Sequence, residues 1–179
     1  MAQTTDKSDT TSRQFHSHFN TPFVEVTKTF NAPIENVWKA WSDPEMIKEW
    51  WGPYGFSCPT AKLDFKIDGK YLFAMEDPKG QVVWSTGTYM EIFPNELIVC
   101  TDQFADQNGH PISAQEAGMG EAWENAEETL IYSVKFTSLG ENTTEIQLVH
   151  EGIPASEHDD CVNGWSSSLD KMKKLLESN

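Results

Sequence analysis

The stretch Asn31-Ala-Pro-Ile-Glu-Asn-Val-Trp-Lys-Ala-Trp-Ser-Asp-Pro-Glu-Met-Ile-Lys-Glu-Trp-Trp-Gly-Pro53 decides how this chain is read. Asn31 can accept from the free N–H groups of a starting helix, and Pro33 suits a first helical position because the donor it lacks would be unsatisfied there. The spacing predicts a helix to about Trp41, with Val37, Ala40 and Trp41 on its inner face. Ser42 or Asp43 caps again, Pro44 restarts a second short helix through about Trp51, and Gly52-Pro53 stops it. Trp38, Trp41, Trp50 and Trp51, with Trp84 further on, read mainly as packing.

The run is answered by Gly164-Trp-Ser-Ser-Ser-Leu-Asp-Lys-Met-Lys-Lys-Leu-Leu176. Val162, Trp165, Leu169, Met172, Leu175 and Leu176 recur at helical spacing and make one apolar face, while Lys171, Lys173 and Lys174 complement the dipole near the end. Ser156 followed by Asp159 resembles a capping box, so the helix is expected to begin near Pro154–Ser156. A long amphipathic helix must cover an apolar surface, and the strands between the two segments supply it.

Those strands begin with Phe23-Val-Glu-Val-Thr-Lys-Thr-Phe30, which alternates apolar and polar side chains. Further strands are expected at about 56–67, 70–77, 81–92, 96–104, 128–138 and 143–151, broken by Asp68-Gly69, Asp77-Pro-Lys-Gly80, Pro94-Asn95 and Leu139-Gly-Glu-Asn142. This is an antiparallel sheet of about seven strands in an α+β fold. Ala105 to Ala126 is a long acidic connection, of the kind that serves as a lid or a partner loop or is simply mobile.

With 179 residues and 38% hydrophobic content, the chain can bury a core without disulfide or metal help. Residues 1–20 are polar and read as a tail, leaving 21–179 as one domain. Cys58, Cys100 and Cys161 are odd in number and widely spaced, which suits a reducing, cytoplasmic setting and suggests no metal site. A net charge of −15 disfavours nucleic acid and anionic membranes. No Lys or Arg occurs between Lys79 and Lys135, while Asp102, Asp106, Glu116, Glu121, Glu124, Glu127 and Glu128 accumulate. One side of the molecule is therefore expected to be acidic. No stretch approaches the ~20 apolar residues of a membrane span, and the first residues lack the apolar core of a signal peptide.

Taken in order, these elements resemble the helix-grip fold of the START/Bet v 1 (SRPBCC) superfamily. The strings Phe30-Asn-Ala-Pro33, Val37-Trp38, Trp41-Ser-Asp-Pro44, Trp50-Trp-Gly-Pro53, Asp68-Gly-Lys-Tyr71, His150-Glu-Gly152 and Gly164-Trp165 are similar to those of the family related to activators of the heat-shock protein 90 ATPase. The resemblance covers about Pro22 to Glu177. It departs at Ala105–Ala126, where that family commonly has a short connection. The stretch before Pro22 is also too short for the separate N-terminal domain of the eukaryotic chaperone activators, which weakens a chaperone role.

The fold so implied places a cavity between the sheet and the last helix. Alternation turns Leu63, Phe65 and Ile67 inward, then Tyr71, Phe73 and Met75, then Leu130, Tyr132, Val134 and Phe136, then Ile146, Leu148 and His150. The expected ligand pocket is Leu63, Phe65, Tyr71, Phe73, Met75, Tyr132, Val134, Leu148, His150, Trp165 and Leu169. Its apolar walls suit a hydrophobic small molecule, and no cofactor is called for. His150 is the one candidate catalytic group, as acid, base or ligand anchor. Trp123, alone in the acidic loop, either folds over the cavity mouth or contacts another subunit. His16-Ser-His18, His110 and His158 have no nearby ligating partners in sequence. Walker, GxGxxG, GxSxG and HExxH motifs are absent from the sequence. Three functions follow: a binding protein for a hydrophobic small molecule, a cyclase or hydrolase using His150, or a module whose acidic face docks a chaperone or a second copy of the chain.

Overall fold

The computed structural model describes residues 23–178. The expected tail, with His16 and His18, lies outside them. The elements run β1 (Phe23–Phe30), α1 (Ile34–Ser42), α2 (Pro44–Trp50), β2 (Ala61–Leu63), β3 (Lys70–Glu76), β4 (Val82–Phe93), β5 (Leu97–Ala105), β6 (Leu130–Gly140), β7 (Thr143–Glu151) and α3 (His158–Glu177). The strands form one antiparallel sheet in the order β1-β7-β6-β5-β4-β3-β2, and α3 lies against β1 and α2. This is the helix-grip architecture expected from the sequence.

Asp43 ends α1 and caps α2, its Oδ1 accepting from the Glu45 amide at 2.9 Å with Pro44 in the first turn. Trp50, fully buried, donates from Nε1 to the Ala40 carbonyl at 2.8 Å and meets Trp41 edge-on at 4.7 Å, which locks the two short helices together. Burying one such side chain contributes about 1.5–3 kcal/mol, which two isolated helices of nine and seven residues need. Trp38 packs on Phe136 at 5.0 Å, joining α1 to the sheet. On α3, Leu169 and Met172 are fully buried, with Trp165, Val162, Leu175 and Leu176 beside them.

Four local expectations are corrected. Asn31 caps nothing: Pro33 precedes α1 without a side-chain cap, and the Asn31 amide instead donates to Glu177 Oε1 at 2.6 Å. The Ser156–Asp159 box does not form either, because Ala155–Glu157 makes a single 3-10 turn and α3 starts at His158 with no side-chain cap. The strand expected over 56–67 shrinks to Ala61–Leu63, with Ser57 bridging Glu76. Beyond Leu63 the chain turns back, Asp68 adopts φ +65°, and the Asp68 amide donates to the Tyr89 carbonyl at 2.9 Å. Ile67 is thereby carried outward, 56% exposed, instead of facing the core.

The acidic connection is built of turns. Asp106 Oδ1 accepts from the Asn108 and His110 amides, Glu116 Oε2 accepts from the Ser113 amide and hydroxyl, and Glu121–Trp123 forms a 3-10 turn that drives Trp123 into the protein. Hydrogen bonds from those amides hold the Asp106 and Glu116 carboxyls below the ordinary carboxylate range. Among the described residues no helix is long and apolar enough to cross a membrane.

Candidate functional site

Register across the sheet places Tyr89 opposite Cys100, Cys100 opposite Tyr132, and Tyr132 opposite His150. All four point to the face covered by α3 and all are buried. Trp165, from the middle of α3, meets Tyr132 and His150 at 5.9 Å each and Trp51 at 5.4 Å. Trp51 in turn touches Phe73 at 4.8 Å, and Phe73 stacks on Tyr71 at 4.6 Å. Tyr71, Phe73, Tyr132, His150 and Trp165 therefore form one aromatic group. Phe65 joins it through Tyr89 at 5.0 Å.

Met75 is partly buried and packs against Gly52 at the α2 corner. Val134 and Leu148 pair across β6 and β7 and, like Leu169, are fully buried in the core. Leu63 and Phe65 keep partial exposure.

Sequence reasoning missed Asp102, which it counted with the acidic surface run. Along β5, Ile98, Cys100, Asp102 and Phe104 share a parity, and the Asp102 side chain is only 20% exposed. Its Oδ1 accepts from the Tyr71 hydroxyl at 2.9 Å, a hydroxyl that also lies 3.0 Å from the Thr101 carbonyl. Tyr71 reaches Asp102 across β4 because Gly87 stands opposite it. A Cβ at Gly87 would sit 2.6 Å from Tyr71 Cε1 and 1.8 Å from the Thr101 carbonyl oxygen. Burial, followed by the Asp102 charge, raises the Tyr71 hydroxyl far above the ordinary tyrosine value. Tyr71 is thus a permanent hydrogen-bond donor to the carboxylate.

Asp102 Oδ2 lies 3.3 Å from His150 Nε2. No hydrogen bond forms between them, and Nε2 of this 6%-exposed residue has no other partner. Its other nitrogen, Nδ1, accepts from Trp165 Nε1 at 3.2 Å. Indole nitrogen can only donate, so Nδ1 carries the lone pair and Nε2 the proton: His150 is neutral in this arrangement. Trp41, stacked on Trp165 at 6.4 Å, has a second buried Nε1 without a partner. Such groups cost about 1–3 kcal/mol each when left unsatisfied.

Two depressions open at the β5–β6 end. One, with about 30 Å³ of room, is lined by Ser85, Asp102, Gln103, Phe104, Glu127, Glu128 and Leu130. That suits about two water molecules. The second, with about 130 Å³, shares Phe104, Glu127 and Glu128 and adds Ile112 and Trp123. Trp123 is buried edge-on against Phe104 at 5.4 Å. Burial pushes the thiols of Cys58, Cys100 and Cys161 up to about 11, 12 and 11, so none is a ready nucleophile.

Comparison with known proteins agrees with the architecture. A crystal structure of a Chromobacterium violaceum protein superposes with a TM-score of 0.69 at 26% identity, covering 88% of this chain and 98% of its own. The AHSA1 protein of Silicibacter pomeroyi superposes with a TM-score of 0.68 at 20% identity, covering 87% and 97%. A Mycobacterium smegmatis protein gives 0.70 at 18%, covering 88% and 91%. The last two likenesses speak for the fold alone. No curated protein matches the chain. Residues 31–177 match the family described as "Activator of Hsp90 ATPase homolog 1-like protein", and the chain belongs to that family.

Proposed function

We propose that this protein binds a hydrophobic small molecule between the sheet and α3, with the ligand's polar group received at Asp102 and His150. The observation that carries this reading is the polar series Tyr71, Asp102, His150 and Trp165, set among aromatic rings and interrupted between Asp102 and His150, where the buried His150 Nε2 has no hydrogen-bond acceptor. Native proteins seldom leave such a donor unpaired, and a bound molecule completes it. Partial exposure of Trp165, Leu63, Phe65, Val162 and Cys161 along the inner surface supports the same reading. So does Gly164: it is only half-exposed, yet a Cβ there would meet nothing within 4 Å.

The geometry favours binding over catalysis. In its present tautomer His150 offers a proton-bearing nitrogen instead of a lone pair, and Trp165 occupies the lone pair a general base would use. Native mass spectrometry of freshly purified protein, followed by thermal unfolding with added apolar compounds, tests the proposal. A co-purified or added ligand should raise the melting temperature in proportion to its excess. If no compound shifts melting and only the bare chain is detected, the proposal fails.

A second reading is the docking of a basic partner, a chaperone or another copy of the chain on the acidic connection. The 130 Å³ groove favours it, because Glu124, Glu127 and Glu128 rim an apolar floor of Phe104, Ile112 and Trp123. Association that ignores reversal of those three charges would dismiss it.

A further inference from the structure

The donor and the acceptor left over at Asp102 and His150 specify a head group. We infer that the ligand is a neutral alcohol whose hydroxyl bridges His150 Nε2 and Asp102 Oδ2; the inference rests on the binding function proposed above.

His150 Nε2 carries a proton because Trp165 donates to Nδ1, and that proton meets no acceptor. Asp102 Oδ2 lies 3.3 Å away and receives no aligned donor, since Tyr71 serves Oδ1. One donor and one acceptor so close together are both satisfied by a single atom only if that atom accepts and donates, as a hydroxyl oxygen does. An ether or ketone oxygen would accept from His150 but turn its other lone pair toward the carboxylate. An ammonium would serve Asp102 and meet the His150 N–H donor-to-donor. A carboxylate would face Asp102 with Glu127 and Glu128 at the rim of the same depression, and the chain has no Lys or Arg between Lys79 and Lys135 to offset them. Asp102 lines a depression of about 30 Å³ that takes a hydroxyl with a carbon or two, and Leu130 and Phe104 offer apolar contact to the carbons beyond; His150 stands outside that lining with Nε2 covered, so the bridge requires its ring or the Asp102 carboxyl to turn toward the depression.

Three probes with one body separate these cases: 1-octanol, 1-methoxyoctane and octanoate, titrated calorimetrically into the full chain. The alcohol should bind about tenfold or more tighter than the ether, the value of one hydrogen bond to a charged group, and octanoate weakest of all. Asp102→Asn presents an amide N–H where the carboxylate oxygen stood, so the preference should vanish or turn toward the ether. Gly120→Ala, where an added Cβ meets nothing within 4 Å, should preserve the preference. Equal affinity for alcohol and ether in the native protein would overturn the head-group assignment while leaving apolar binding intact. A preference that survives Asp102→Asn unchanged would also overturn it. If none of the three binds, both inferences fall, and the Asp102 depression holds water only.

Discussion

Replacing Gly87 by Ala tests the device that lets Tyr71 reach Asp102. The new Cβ would stand 1.8 Å from the Thr101 carbonyl oxygen, where ordinary contact begins near 3.4 Å, so β4 and β5 must part by about 1.6 Å. The same atom would be 2.6 Å from the Tyr71 ring and push it away from Asp102. A hydrogen bond now 2.9 Å long then exceeds the distance at which it holds. Overpacking of this kind costs about 1–3 kcal/mol, and loss of a hydrogen bond to a charged group about 1.5–3 kcal/mol. We expect a total near 3–5 kcal/mol, a large share of the roughly 5–15 kcal/mol that holds a domain folded. Urea unfolding followed by tryptophan fluorescence measures it, with Gly120→Ala as control, because a Cβ at Gly120 meets nothing within 4 Å. The control should stay within about 0.5 kcal/mol of the native protein. A Gly87→Ala protein less than about 1 kcal/mol weaker than native would refute the reasoning.

Gly164→Ala should act in the opposite direction. Gly164 lies inside α3 with open space beside it, so alanine should add about 0.5–1 kcal/mol by reducing backbone freedom in the unfolded chain, read as a raised unfolding midpoint. Lys171 Nζ donates to the carbonyls of Gly52 and Phe56 at 2.9 and 3.2 Å, tying α3 to the end of α2. Lys171→Met should cost about 1–2 kcal/mol in urea unfolding, and an unchanged midpoint would mean those carbonyls are satisfied by water. Burial raises the hydroxyls of Tyr71, Tyr89 and Tyr132 well above the ordinary tyrosine value, helped by the Asp102 charge at Tyr71 and by Cys100 at the other two. The unfolded chain ionises these groups near pH 10, so their contribution is fully present below that pH and is lost as pH rises above it. Ultraviolet difference spectra should show all three ionising only together with unfolding; stepwise ionisation of the folded protein would contradict their placement.

The fold was legible because its signals are local. Asp43-Pro44 states a cap and a first turn, Trp50 needs a partner for its indole within reach of α1, and the parity of β6 and β7 puts Tyr132 and His150 on one face without ambiguity. Asp102 was hidden by its neighbourhood in sequence, one acid among nine between Lys79 and Lys135, where no Lys or Arg occurs. Its parity with Ile98 and Cys100 was available, but an inward carboxylate contradicts composition unless a donor waits for it, and that donor, Tyr71, comes from a strand 31 residues away in sequence. Gly87 gave no signal either, since only the Tyr71 ring crossing β4 makes its missing side chain matter. Ile67 misled for the opposite reason: it continues a good apolar alternation, but Asp68 at positive φ turns the chain before the alternation can be used.

Nuclear magnetic resonance of the tryptophan indole N–H groups during addition of 1-octanol tests the central claim most directly. Trp165 donates to His150 beside the proposed head-group site, whereas Trp84 on β4 belongs to none of the aromatic contacts around it. Binding beside His150 should give a saturable shift of the Trp165 indole signal, reached only at higher octanol concentration in Asp102→Asn, with Trp84 unmoved. An unmoved Trp165 signal at octanol concentrations that saturate binding would place the ligand elsewhere and contradict the claim.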